Sequence, residues 1–167
     1  GTRVFVSNSG GDGSEAGTGT VSIIDAGSRT VIGSIAVGKQ PQGIAVSPDG
    51  RGLYVANNGQ PLGTVAVVDL ATSKVIKKIT VGHNPQGLAV TPDGKWVYVA
   101  NQCGDTADCI AKDGTVTANG TVSVIDTTAL RVVATVQVDM EPFGVAVAVT
   151  ADGPQVLDPS YRHSSPE

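Results

Sequence analysis

Residues 51–94 read RGLYVANNGQPLGTVAVVDLATSKVIKKITVGHNPQGLAVTPDG, and each part of this stretch recurs on both sides of it. LYVAN at 53–57 aligns with VFVSN at 4–8 and VYVAN at 97–101. TVAVVD at 64–69 aligns with TVSIID at 20–25 and TVSVID at 121–126. SKVIKKITVG at 73–82 aligns with TVIGSIAVG at 30–38 and LRVVATVQVD at 130–139. PQGLAVTPDG at 85–94 aligns with PQGIAVSPDG at 41–50 and PFGVAVAVTADG at 142–153. A fixed internal period decides the architecture, so it is read before any single element.

The intervals agree with a common unit. Gly50 to Gly94 is 44 residues, Gly1 to Gly50 is 49, and Gly94 to Gly153 is 59. The loop after the first strand element holds 11, 6 and 19 residues, and these differences, with two extra residues in the last element, account for the unequal spacing. Within each unit the apolar residues are chiefly Val and Ile, whose branched Cβ favours strands. Val4 and Val6 alternate with Phe5 and Ser7, a period of two. Both sets are apolar or small, which requires cover on both faces of the sheet. Asp-Gly, Ala-Gly-Ser and Pro-Gln-Gly between the elements read as turns. A unit of roughly 40–45 residues with four strands is the signature of a β-propeller blade.

The expected fold is therefore all-β: a β-propeller of four-stranded antiparallel blades, with three repeats at about 1–50, 50–94 and 94–153. Residues 154–167 are expected to form an irregular C-terminal tail, because Pro154 and Pro159 suit a propeller strand poorly. The units resemble the YVTN family, through Leu53–Asn57, Val97–Asn101, Thr121–Asp126, Val81–Gly87 and Val90–Gly94. That resemblance covers residues 1 to about 153 and implies surface-layer-like proteins, binding proteins or lactonase-like enzyme propellers. It also implies that the PxG element is the innermost strand, near 43–47, 87–91 and 143–149. The chain then supplies strands two to four of one blade, two whole blades, and a lone innermost strand.

Three blades do not close a ring of the usual 4–8. The expected partner is a second copy, giving six blades by strand addition. The rival is the remaining blades of a cut propeller, suggested by a Gly1 that aligns inside an Asp-Gly turn.

Composition limits the function classes. Net charge is −4 with 16% charged residues, which argues against nucleic acid, since binding there needs a basic stripe. No apolar run approaches a membrane span. Cys103 and Cys109 enclose five residues, a spacing that fits neither a redox Cys-x-x-Cys nor a zinc half-site. A Cys103–Cys109 disulfide closing that loop is worth roughly 2–3 kcal/mol and points to an extracytoplasmic location: periplasm, cell surface or medium.

The variable loops and the crossovers into the inner strand share one face, where function is expected. Its candidate ligand-binding residues are His83, Asp139 and Glu141; the last two replace Gly and Gln or Asn in the sister repeats. Asp12, Glu15, Asp105 and Asp108 are oxygen donors in Gly-rich loops that would suit Ca²⁺, although they match no EF-hand spacing. No cofactor and no catalytic residue are predicted. Gly-x-Ser-x-Gly, His-Glu-x-x-His and phosphate-loop patterns are absent from the sequence. The expected function is a non-catalytic scaffold or binding module. The alternative is part of a propeller enzyme, a lactonase-like hydrolase or cofactor-bearing oxidoreductase, with an axial site shared between blades.

Overall fold

The computed structural model describes residues 2–10, 18–59, 62–104, 117–150 and 153–157. The elements among them are all strands. Blade A holds β1 (Arg3–Asn8), β2 (Thr18–Asp25) and β3 (Thr30–Lys39). Blade B holds β4 (Pro41–Val46), β5 (Gly52–Asn57), β6 (Thr64–Asp69) and β7 (Lys74–Thr80). Blade C holds β8 (Pro85–Val90), β9 (Trp96–Asn101), β10 (Thr121–Asp126) and β11 (Arg131–Gln137). Two further strands, β12 (Ala146–Thr150) and β13 (Gly153–Leu157), open blade D. Each sheet is an antiparallel meander whose strands pair in chain order.

Alternation along β5 and β6 shows why both faces had to be apolar. Leu53, Val55, Ala66 and Val68 pack toward blade A with Val21, Ile23, Ile35 and Val37. Tyr54, Ala56, Val65 and Val67 pack toward blade C with Leu88, Val97, Val99 and Ile125. One sheet thus belongs to two cores, as a period of two requires when both sides are covered.

The turns are held by repeated side-chain devices. Ser47 and Thr91 each donate a hydroxyl to the aspartate two residues on, and the backbone N–H groups of Arg51 and Lys95 donate to the same carboxylates, at 3.0 and 3.1 Å. At the outer hairpins Asp25, Asp69 and Asp126 accept backbone N–H bonds from residues two or three further on. The fourth residue of each outer turn, Arg29, Ser73 or Leu130, takes a positive φ. Three residues later the ladder slips in all three blades, leaving Ile32, Ile76 and Val133 as bulge residues on the outermost strand.

The Pro-x-Gly motif departs from the turn that its composition suggests. Its composition reads as a turn, while the resemblance implies an inner strand; Pro41–Gly43 and Pro85–Gly87 are the first residues of β4 and β8, as the resemblance implies. The register shifts there, between Pro41 and Ile44 and between Pro85 and Leu88. The glycine serves close approach: a Cβ on Gly43 would lie 2.4 Å from the Gln86 carbonyl oxygen, and one on Gly87 would lie 2.5 Å from that of Phe143. Successive inner strands therefore meet backbone to backbone at the axis.

A second correction concerns the tail, which opens on a strand and is not irregular from residue 154. β13 pairs with β12 from Ala146↔Leu157 to Thr150↔Gly153. Pro154 is tolerated because β13 is paired on one side only among the described residues, so a missing N–H costs no ladder bond. The inner strand of blade D is consequently not a lone strand.

Candidate functional site

The meander places the crossovers and the loops between second and third strands at one end of every blade. His83 lies in the crossover into blade C and Asp139 and Glu141 in the crossover into blade D, so all three candidates share this end. Their environments differ. His83 is only 9% exposed. Its N–H donates to the Gly104 carbonyl at 2.7 Å, and its carbonyl accepts from Cys103 N–H at 3.2 Å. Asp139 and Glu141 are exposed. Among the described residues no hydrogen bond or ion pair joins the three, and no group of three metal-ligating side chains forms. Asp12, Glu15, Asp105, Asp108 and Cys109 lie outside the described residues. Cys103 is buried at the base of its loop.

Two features of this end were not read from the sequence. The first is an amide chain between blades: Asn58 donates to Asn84, Asn84 to Gln102, and Gln86 to both Asn84 at 3.1 Å and Gln102 at 3.3 Å. The second is backbone conformation. Gln40, Asn84 and Glu141, each just before the crossover proline, take φ of 50°, 53° and 58°. Non-glycine residues rarely adopt this region, and Asn does so at least cost. Glu141 therefore projects a carboxylate from the most constrained point of its crossover.

The opposite end carries the Pro-Asp-Gly turns, and clefts between blades open there. Between B and C lies a cleft of about 350 Å³ lined by Ser47, Asp49, Tyr54, Asp93, Gly94 and Thr127. The matching groove between A and B, about 620 Å³, is lined by Arg3, Phe5, Val46, Arg51, Leu70 and Ala71. The two are equivalent by register. Leu70 N–H donates to the Arg51 carbonyl as Thr127 N–H donates to that of Lys95, and Phe5 holds the place of Tyr54 in its strand.

Electrostatics distinguish the B–C cleft. The Ser47 hydroxyl, then the Arg51 N–H, holds the Asp49 carboxyl below its ordinary range. The Thr91 hydroxyl, then the Lys95 N–H, does the same for Asp93. Burial pushes the Tyr54 phenol up, and the Asp49 charge adds to this. Asp25 and Asp126 are lowered chiefly by the backbone N–H groups of Ser28 and Ala129.

Comparison with known proteins gives three findings. The profile of a family described as Choice-of-anchor I domain matches residues 60–160. No curated protein matches the chain. Among solved structures, hydrazine synthase of Kuenenia stuttgartiensis is similar at 32% identity and a TM-score of 0.63, over 83% of this chain and 40% of its own. The Dos1 propeller is similar at a TM-score of 0.64 over 93% of this chain and 36% of its own; at 12% identity it shows the fold alone. The chain thus spans about two fifths of the length of these structures.

Proposed function

The chain belongs to the Choice-of-anchor I domain family, and from that premise we propose that it is a non-catalytic propeller scaffold or binding module acting outside the cytoplasm, at a cell surface. One observation carries the non-catalytic part. The aspartates that recur with the blade period are taken up by their own turns, each accepting backbone N–H bonds. Carboxylates fixed this way are oriented for folding, which is a different use from shuttling protons.

A partial propeller needs further blades. β1 pairs only with β2, so the inner edge of blade A has no described partner. A second copy would have to place its β1 against β12, but β13 already occupies that edge. The ring is therefore completed by further blades of a longer polypeptide, in keeping with the share of each structural neighbour that the chain covers. In sedimentation at micromolar concentration the chain should show no discrete closed pair. A sharp species at twice 16.8 kDa would restore the six-bladed dimer in which β13 is displaced.

The loop carrying Cys103 is closed by a bond to Cys109, consistent with an oxidising compartment. Intact mass should rise by about 2 Da on reduction, as two thiols form in the ring model of a disulfide. Two thiols alkylated in the native protein rule the bond out.

The crossover end is the ligand-facing end of the assembled ring, with Asp139 and Glu141 as a cation-attracting mouth beside the buried His83. Replacing both with their repeat equivalents, Asp139→Gly and Glu141→Asn, should abolish Ca²⁺ binding and leave the melting temperature nearly unchanged. Undiminished Ca²⁺ binding in the double variant would move the site elsewhere.

A second reading, part of a propeller enzyme, draws on the 32% identity to hydrazine synthase. A cofactor retained by the purified assembly and seen in its visible absorbance would favour it; a cofactor-free assembly by native mass spectrometry would count against it.

A further inference from the structure

We propose that the outermost strand of blade B, β7, is a docking strip for a linear anionic glycan of the uronic-acid class, a partner whose choice rests on the cell-surface reading above. β7 carries Lys74, Lys77 and Lys78, all exposed, and no acidic residue. Register sets the side on which each lysine leaves the strand. Lys77 stands opposite Val67, which packs toward blade C, and Lys78 stands opposite Ala66, which packs toward blade A. Directly opposed residues of an antiparallel pair share a face. The two stems therefore leave β7 on its two sides, cover the rim of both cores and hold their ammonium groups in water. Lys74, opposite Asp69, extends the strip toward the Pro-Asp-Gly end. From Lys74 to Lys78 the strip runs about 13 Å at the usual strand rise.

These three cations have no counter-charge among the described residues, where the one ion pair joins Lys95 to Asp93 at 3.7 Å. The acid opposite Lys74, Asp69, uses its carboxylate to accept the Ala71 and Thr72 N–H groups at 2.7 and 3.3 Å. The blade does not need lysine at 77 and 78. At the same register blade A has Gly33 and Ser34, and blade C has Ala134 and Thr135. Lysine on a free edge also discourages pairing with another molecule. That use does not explain β7, because β3 and β11 are free edges as well and do without lysine at these positions.

The strip selects its partner by charge. The bulge at Ile76 breaks the ladder beside the lysines, so this edge suits strand addition poorly and the contact runs through side chains. Ammonium groups on long stems are mobile point charges, and β7 has no arginine fork of the kind that selects phosphate groups. The chain as a whole carries −4, which repels polyanions at long range. Duplex DNA, with one charge per about 1.7 Å of axis, meets that repulsion most strongly. A polymer charged once per sugar ring meets less of it and is flexible enough to follow the rim. Ile76, 58% exposed between Lys74 and Lys77, gives an apolar surface to the C–H faces of the rings. The strip lies on the outermost strand of a complete blade, so it does not depend on how the ring is closed.

Isothermal titration of the full chain with polygalacturonate at low ionic strength, with neutral dextran as the blank, tests this. Polygalacturonate should bind, dextran should not, and added salt should weaken the binding steeply. Lys77→Ala combined with Lys78→Thr, the residues blade C carries, should weaken it roughly thirtyfold, the order expected for two lysines at an anionic surface. Lys77→Gln combined with Lys78→Gln, which keeps the stems, should weaken it alike. A far-ultraviolet spectrum and melt like the parent's confirm that the variants are folded. No binding of polygalacturonate overturns the proposal, and so does undiminished binding in both double variants. Tighter binding of polyglutamate or duplex DNA than of polygalacturonate also overturns it, in favour of a protein or nucleic-acid partner. The titration uses the purified chain, so its failure leaves the cell-surface reading standing, and a protein found only inside the cell would sink that reading without touching the titration.

Discussion

Gly87→Ala should destabilise the chain by about 3 kcal/mol or prevent cooperative folding, at the upper end of what overpacking costs. The added Cβ would lie 2.5 Å from the Phe143 carbonyl oxygen and 2.9 Å from the Gly144 Cα. Both are backbone atoms, so no side chain can rotate away. The Gly87 N–H also donates to that same Phe143 carbonyl at 2.7 Å, so relief by separation costs a buried bond. Gly43→Ala should behave alike, since its Cβ would meet the Gln86 carbonyl and the Gly87 Cα. Gly33→Ala is the control: its Cβ would rest 3.5 Å from Ile23 Cδ1, an ordinary contact, and the substitution should be neutral or slightly stabilising. Denaturant midpoints separate the three. A Gly87→Ala protein within about 0.5 kcal/mol of the parent would show that the inner strands do not set the blade spacing.

Asn101→Ala should cost about 2–3 kcal/mol, the sum of a buried amide's lost bonds and the space it leaves. Asn101 is 0% exposed and donates to Thr121 Oγ1 at 3.1 Å and Ser123 Oγ at 2.8 Å. It therefore ties the second strand of blade C to the third. Asn8 makes the same two bonds in blade A, to Thr20 Oγ1 at 3.2 Å and Ser22 Oγ at 2.8 Å, but it is exposed. In the chain alone Asn8→Ala should cost no more than about 0.5 kcal/mol, because water replaces what is lost. Equal costs at the two positions would mean that burial is not what gives the repeated Asn its weight. In a completed ring, Asn8 should approach Asn101.

The repeat made the fold legible. The four elements of the repeat became four-stranded sheets offset by one strand from the aligned unit, as the inner-strand assignment implied, and the alternation in Leu53–Asn57 became two cores. What the sequence concealed was backbone at close range. Pro-Gln-Gly has turn composition, and only the nearness of the next inner strand reveals its glycine as a contact residue. Pro154 masked β13, since a proline argues against a strand until its edge position is known. The candidate site was less legible. His83, Asp139 and Glu141 stood out because they are rare or because they break the pattern.

Because within each sheet every strand pairs with its neighbour in the chain, blades B and C each close from one continuous stretch, and only β1 waits for a distant partner. A chain emerging from the ribosome or a translocon can therefore fold one blade at a time, each finished sheet acting as the surface on which the next condenses. The slow step falls at the end. Until the last blade arrives, the first keeps an unpaired edge, and the bulges at Ile32, Ile76 and Val133 distort the outermost strands against pairing with a neighbouring molecule meanwhile.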